Sequence, residues 1–207
     1  MKPGDFVLEI LKKAPNDRRI IVLIRHSKRD PFGDMPEHLR NGVAITPEGI
    51  LMARKFGHAL GTIFPGKPLQ LGHTIATRCR MTAESIREGY PHDHPSRILG
   101  CEPAIKSPVL HLERYVATRN ELGWRELMRR WLDSELPADT FANPHQYSDE
   151  IIRNLFACTD SENGALLVVI AHDITLFPII SRVFGVKVTA IEFLNGIVIT
   201  AGTEAVA

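Results

Sequence analysis

The chain has little cysteine, no excess of either charge and no long apolar run, and each shortage removes a class of function. Its three cysteines, Cys79, Cys101 and Cys158, are an odd number without metal-type spacing. That excludes a disulfide framework or a zinc ribbon and predicts reduced thiols in a cytoplasmic protein. Lys and Arg total 25 against 24 Asp and Glu, a formal charge of +1. A general nucleic-acid binder carries a large basic excess, so any arginine cluster here is local and suited to a small anion. No stretch approaches the roughly 18 apolar residues of a membrane span. The segment "MKPGDFVLEILKKAPNDRR" carries Asp5 and Glu9 among its apolar residues and reads as a short amphipathic helix, not a signal peptide. A soluble, cytoplasmic protein without nucleic-acid or membrane partners is expected. Repeats and low-complexity runs are also missing, which leaves the 207 residues as one ordinary domain.

What the chain does have is alternating strand and helix signals. Apolar runs of strand length occur at Ile20–Ile24, at "LQLGHTIAT" (Leu69–Thr77), at "ALLVVIA" (Ala165–Ala171) and at "GIVITAG" (Gly196–Gly202). The first and third are apolar throughout, as in strands of a parallel sheet covered on both faces. Helical patterns separate them. "TPEGILMARKFGHALG" has Thr46 as N-cap, Pro47 at the first helical position and Ile50, Ala53, Phe56 and Leu60 on one face. "RMTAESIREGY" follows the second run, and "DITLFPIISRVFG" follows the third and stops at Gly185, a C-cap candidate. The class is α/β with a mostly parallel central sheet and helices on both faces. From about 100 to 163 the rhythm breaks. "ELGWRELMRRWLDSEL" and "YSDEIIRNLFACTD" read as two helices of a small helical insertion, a cap on the single domain.

In such sheets ligands bind at the carboxyl ends of the strands. There the first strand delivers Arg25, His26 and Arg29, the second Arg78, and the third His172 and Asp173. Each alone has an ordinary explanation: a solvated or salt-bridged arginine, a hydrogen-bonded histidine, a chance "HD" pair. Together they occupy one topological position, and like charges converging without equal acids repel unless an anion sits among them. Guanidinium groups match phosphate oxygens in bidentate fashion. A histidine beside them has its pKa pushed down, which leaves a lone pair able to attack phosphorus. A leaving alkoxide needs a proton, and Asp173 is the nearby carboxyl.

These residues stand in motifs. "RHSKRDP" resembles the R-H-G-x-R-x-P signature of the histidine phosphatase superfamily, in its acid phosphatase and phytase branch, with Ser27 in place of the glycine. "TPEG" (Thr46–Gly49), "TRCRMTAES" and "AHDITL" are similar to three further elements of that superfamily, in the same order. The resemblance runs from Ile20 to Leu176. It implies a three-layer α/β/α sandwich and a phosphatase acting on a phosphomonoester or phosphohistidine, with His26 as the nucleophile that becomes phosphohistidine. It further implies that Arg25, Arg29, Arg78 and His172 bind the phosphoryl group and that Asp173 serves as general acid and base, with no metal or organic cofactor. The expected partner is a small phosphorylated substrate or a phosphoprotein. The chain is short, nearer in size to the phosphoglycerate-mutase-like branch, which takes its acid from a glutamate after the arginine segment. Glu113 in "VLHLERY" is the alternative acid on that pattern, and a phosphotransferase or an inert phosphate-binding module are the alternative functions.

Other features read as structural. "HDH" (His92–His94) with His73 or His111 lies in a Pro-rich turn without acidic or cysteine partners at ligand spacing, and is expected to be a solvated loop. Trp124 and Trp131 are expected to pack a helix face, Cys79 to act as a small buried hydrophobe, and Lys28 to be a solvated lysine. The resemblance implies that the insertion covers the site, which makes its residues candidates for setting substrate choice.

Overall fold

A computed structural model of the chain describes residues 2–16, 18–101, 105–157, 164–200 and the backbone of 205–206. In chain order its elements are α1 (Asp5–Leu11), β1 (Ile20–Arg25), a 3₁₀ turn (Glu37–Gly42), α2 (Pro47–Ile63), β2 (Leu69–His73), α3 (Thr77–Gly89) and β3 (Ser96–Cys101). They continue with α4 (Leu112–Leu132), α5 (Pro144–Ala157), β4 (Leu166–Ala171), α6 (Asp173–Phe184), β5 (Gly196–Thr200) and β6 (Ala205–Val206). The strands form one sheet in the order β3-β2-β4-β1-β5-β6. β1, β2, β3 and β4 run parallel, and β5 is antiparallel to β1, as is β6 to β5.

Strand pleating distributes one apolar run to two cores. Ile20, Val22 and Ile24 face the layer of α1, α2 and α3, with Leu69, Leu71, Val168 and Ile170 beside them. Ile21 and Leu23 face the layer of α4, α5 and α6, with Leu167, Val169 and Ile197. All five residues of Ile20–Ile24 are fully buried, at about 1.5–3 kcal/mol of transfer free energy per side chain. An alternating strand would leave one face wet, so this continuous apolar run is what permits three layers. β1 is clamped on both sides, and its end is consequently rigid.

The expected caps are present. Thr46 Oγ1 accepts from the Gly49 amide at 3.0 Å ahead of Pro47, and Gly185 ends α6 in the left-handed region at φ 68°. Four readings change. β2 stops at His73, because Thr74–Ala76 form the turn into α3. β3 carries no clear apolar alternation, being a short edge strand whose pairing with β2 shifts register between Leu71 and Gly72. The helix expected from Glu121 onward begins at Leu112 and is broken at Gly123 (φ 72°, ψ 165°), a backbone state that glycine adopts without a Cβ clash. It ends at Leu132, so "DSEL" lies beyond it. Parts of the expected run "GIVITAG" and of the segment "FACTD", with Cys158, lie outside the described residues. No helix among the described residues is long and apolar enough to cross a membrane.

Candidate active site

Sheet register decides which side chains meet. Arg25 pairs with Ala171 and His73 with Ile170, so β1, β2 and β4 end level and side by side. The His26 amide donates to the Ala171 carbonyl at 3.0 Å and the Thr74 amide to the Ile170 carbonyl at 3.1 Å. Beyond these ends lies a cleft of about 700 Å³ whose wall includes Arg25, His26, Arg29, Arg78, His172 and Asp173. The six residues singled out at three separate strand ends thus line one cavity. Glu113, in the exposed first turn of α4, is not among its lining residues.

The turn after β1 is tied to two helices. Ser27 is fully buried; its amide donates to Thr82 Oγ1 at 3.0 Å and its hydroxyl to the Gly49 carbonyl at 2.7 Å. Thr82 Oγ1 in turn donates to the Arg78 carbonyl at 2.6 Å. Gly49 is required by the close approach of the same turn: a Cβ there would sit 2.3 Å from the Lys28 carbonyl oxygen. The serine that replaces the signature glycine is therefore an anchor between β1, α2 and α3, not merely a small residue.

Tautomers follow from the partners. His26 Nδ1 lies 2.7 Å from the Ser27 carbonyl, which can only accept, so Nδ1 carries the proton and Nε2 keeps its lone pair. The His172 ring centre is 5.5 Å from that of His26. Its Nδ1 is 3.3 Å from Arg78 Nη2 and its Nε2 is 3.0 Å from Thr74 Oγ1. Arg78 can only donate, so Nδ1 accepts and Nε2–H donates to the threonine. Both rings are held neutral. Burial is the first cause of the fall in the His26 pKa, followed by His172, Arg78 and Arg25. His172 is lowered to about 3 by burial first, then by Arg78, Arg25 and Arg29. The direction agrees with the sequence reading, but desolvation outranks the arginines as its cause.

Asp173 opens α6. Its Oδ1 accepts from the Ile174 amide at 2.9 Å and its Oδ2 lies 3.5 Å from Arg25 Nη2. Arg25 also donates to the Ile191 carbonyl, and its guanidinium lies 4.5 Å from the Phe193 ring centre. Among the described residues no carboxylate lies within ion-pair distance of Arg29 or Arg78. Burial, then Arg78 and Arg25, lowers the Arg29 pKa to about 10. These are partly desolvated cations short of counter-charge.

Several cleft residues escaped the sequence reading. Phe32 lies 3.4 Å from the Arg29 guanidinium, 5.0 Å from that of Arg40 and 5.3 Å from that of Arg78. Glu37, Arg40, Thr74, Tyr115 and Arg119 also line the cavity. The only available signal was the basic and aromatic content of the loop after "RHSKRDP". Trp131 packs in the core as expected, whereas Trp124 both packs against Phe177 and lines the cleft. Cys79 is buried under His172, its Sγ 3.7 Å from Nε2, with its thiol pKa pushed up to about 12 mainly by burial. His94 accepts from the Gly66 amide and packs edge-on against Tyr90, so it is more enclosed than a solvated loop residue. Lys28 pairs with Glu48 at the surface.

No protein-family model matches the chain, and no curated protein matches it. Solved structures do. YhfR of Bacillus stearothermophilus superposes with a TM-score of 0.57 at 12% identity, over 87% of this chain and 90% of that one. A mycobacterial glucosyl-3-phosphoglycerate phosphatase gives 0.55 at 15% identity, over 87% and 88%. Phosphoserine phosphatase of Entamoeba histolytica gives 0.52 at 13%, over 89% and 95%. At these identities the likeness is one of fold alone: the chain shares its α/β architecture with these proteins.

Proposed function

We propose that the protein is a phosphatase that hydrolyses a phosphomonoester, or a phosphohistidine on a protein, through a covalent intermediate on His26. The observation that carries this reading is the buried His26 ring, whose Nδ1–H is spent on the Ser27 carbonyl. Its free Nε2 belongs to a cleft that also holds Arg25, Arg29 and Arg78. An inert phosphate-binding module has no use for an unprotonated nucleophile in a ring of cations. Arg25, Arg29, Arg78 and His172 seat the phosphoryl oxygens, and the guanidinium charges offset the charge of the transferring group. His26 Nε2 attacks phosphorus, the ester P–O bond breaks, and the departing oxygen takes a proton from the Asp173 carboxyl. In the second half Asp173, now a carboxylate, takes a proton from water as that water displaces His26 from phosphorus. Arg25 Nη2, 3.5 Å from Oδ2, and the Ile174 amide, 2.9 Å from Oδ1, orient the Asp173 carboxyl for this part.

In the same reading the segment from about 100 to 163 caps a single domain. The break at Gly123 separates the stretch bearing Tyr115 and Arg119 from Trp124, and all three line the cleft. The decisive experiment compares wild type with His26→Ala and Asp173→Asn on p-nitrophenyl phosphate and on an alkyl phosphate, with acid-labile phosphoenzyme trapped in parallel. His26→Ala should abolish both turnover and labelling. Asp173→Asn should slow the alkyl ester by about 10²–10⁴-fold and the aryl ester much less, because p-nitrophenolate leaves without a proton. Glu113→Gln should behave as wild type. Retained wild-type rates in the first two variants would sink the mechanism, and an alkyl-specific loss in Glu113→Gln would transfer the acid role.

A further inference from the structure

The cleft carries more positive charge than one phosphate can use. Among the described residues that line it, five are arginines and two, Glu37 and Asp173, are acidic; the sixth cation, Lys106, pairs with Glu150 outside it. Three guanidinium charges therefore have no acidic counterpart among the described lining residues, and a phosphate dianion supplies two.

The surplus sits in a defined place. Arg40 shares the Phe32 ring with Arg29 and Arg78, and its carbonyl accepts from Arg78 Nη1 at 2.7 Å. It is thus continuous with the phosphate seat. Arg40 Nη1 and Arg119 Nη1 converge on one oxygen, Glu37 Oε2, at 2.7 and 2.6 Å. Two cations on a single carboxylate leave one charge over, and most of the five N–H groups of each guanidinium remain available. The side chains of Arg40 and Arg119 are only 13% and 26% exposed, so their fields are less screened than those of surface pairs. Glu37 fixes both forks in the wall of the cleft.

We propose that Arg40 and Arg119, oriented by Glu37, form a second anion subsite, and that the substrate carries a second anionic group, carboxylate or phosphate, on its leaving part. The inference rests on the phosphatase reading for its phosphate seat and names the class of molecule that the seat serves. Glu37 gives the subsite a distinctive signature. Its neutralisation unmasks a second positive charge, whereas a mere tie between the 3₁₀ turn and α4 would only loosen.

Binding to the full chain tests this directly, by calorimetry with non-hydrolysable alkylphosphonates and with ω-carboxyalkylphosphonates of two to about six methylenes. In the wild type the best carboxylated ligand should bind roughly tenfold or more tighter than its plain counterpart, as a charge-assisted bond to an ordered guanidinium allows. Arg119→Gln should bring that ratio close to one, and Glu37→Gln should raise it. Equal affinities in the wild type, or a Glu37→Gln variant that weakens both series alike, would overturn the subsite. If neither series binds, the phosphate seat and the subsite fall together. If binding follows the expected pattern but no phosphate ester is hydrolysed, the phosphatase reading fails while the anion subsite stands.

Discussion

Arginines gather in two regions of this molecule under opposite conditions. At the end of α4, Arg129 reaches Glu126, Asp133 and Glu135, and Arg130 reaches Glu126, all at the surface. Every cation there has an acid, and the network holds Glu126 down to about 2, chiefly through its hydrogen bonds from Arg129 and then Arg130. In the cleft, Arg25, Arg29 and Arg78 are half-buried or buried and, among the described residues, share a single ion pair, that of Arg25 with Asp173, while the neighbouring histidines are driven neutral. Exposed paired charges gain little, because water already solvates them and salt screens them. Desolvated, under-compensated charges cost the folded state and become useful when an anion arrives. The contrast separates a solvated network from a seat for a ligand better than any count of arginines.

The most severe break of that contrast is Arg78→Ala. It removes a proposed phosphate donor and also the bond to His172 Nδ1 and that to the Arg40 carbonyl. A loss of kcat/KM of about 10²–10³-fold is expected, as for other single charge-stabilising donors. Arg78→Lys should recover only part of it, since an ammonium cannot hold two partners in one plane. Steady-state kinetics on p-nitrophenyl phosphate measure both.

The pH dependence of stability is the next test. His172 titrates at about 3 in the fold against 6.5 in the unfolded chain, and His26 is shifted the same way. Between those values the unfolded state binds more protons, so stability is full above 6.5 and falls as pH drops toward about 3. Thermal melts across that window should show the fall, and His172→Gln should flatten it. Saturating vanadate should oppose it, because an anion that binds the folded state alone stabilises that state.

A smaller effect is expected at the anchor. Ser27→Ala deletes the bond to the Gly49 carbonyl and should cost about 1 kcal/mol in chemical denaturation, with a modest rise in KM as the turn loosens. Arg129→Ala should leave activity unchanged and the melting temperature nearly so, despite breaking three ion pairs. A large loss of activity there would erase the distinction between the two regions.

The catalytic candidates were readable because chemistry at a strand end needs neighbours in the chain. Arg25, His26 and Arg29 sit within five residues, and His172 and Asp173 are adjacent. The β/α alternation was readable because fully apolar runs can only be buried on both faces. Phe32, Glu37 and Arg119 were not, since a loop, a 3₁₀ turn and a distant helix meet at the cleft only after folding. β3 was hidden by its short, mixed edge sequence, and the break in α4 by a glycine that a helix interior tolerates at a cost of about 1 kcal/mol.

What the linear order of residues determined was the kind of chemistry on offer and the strand ends that carry it, because side-chain type and apolar periodicity are local properties. Tertiary structure decided the rest. Register aligned β1, β2 and β4 so that two histidines face each other, burial more than charge set their protonation, and packing brought Arg119 to Glu37. Distances, desolvation and counter-charge belong to groups far apart in the chain, and they exist only once the chain has folded.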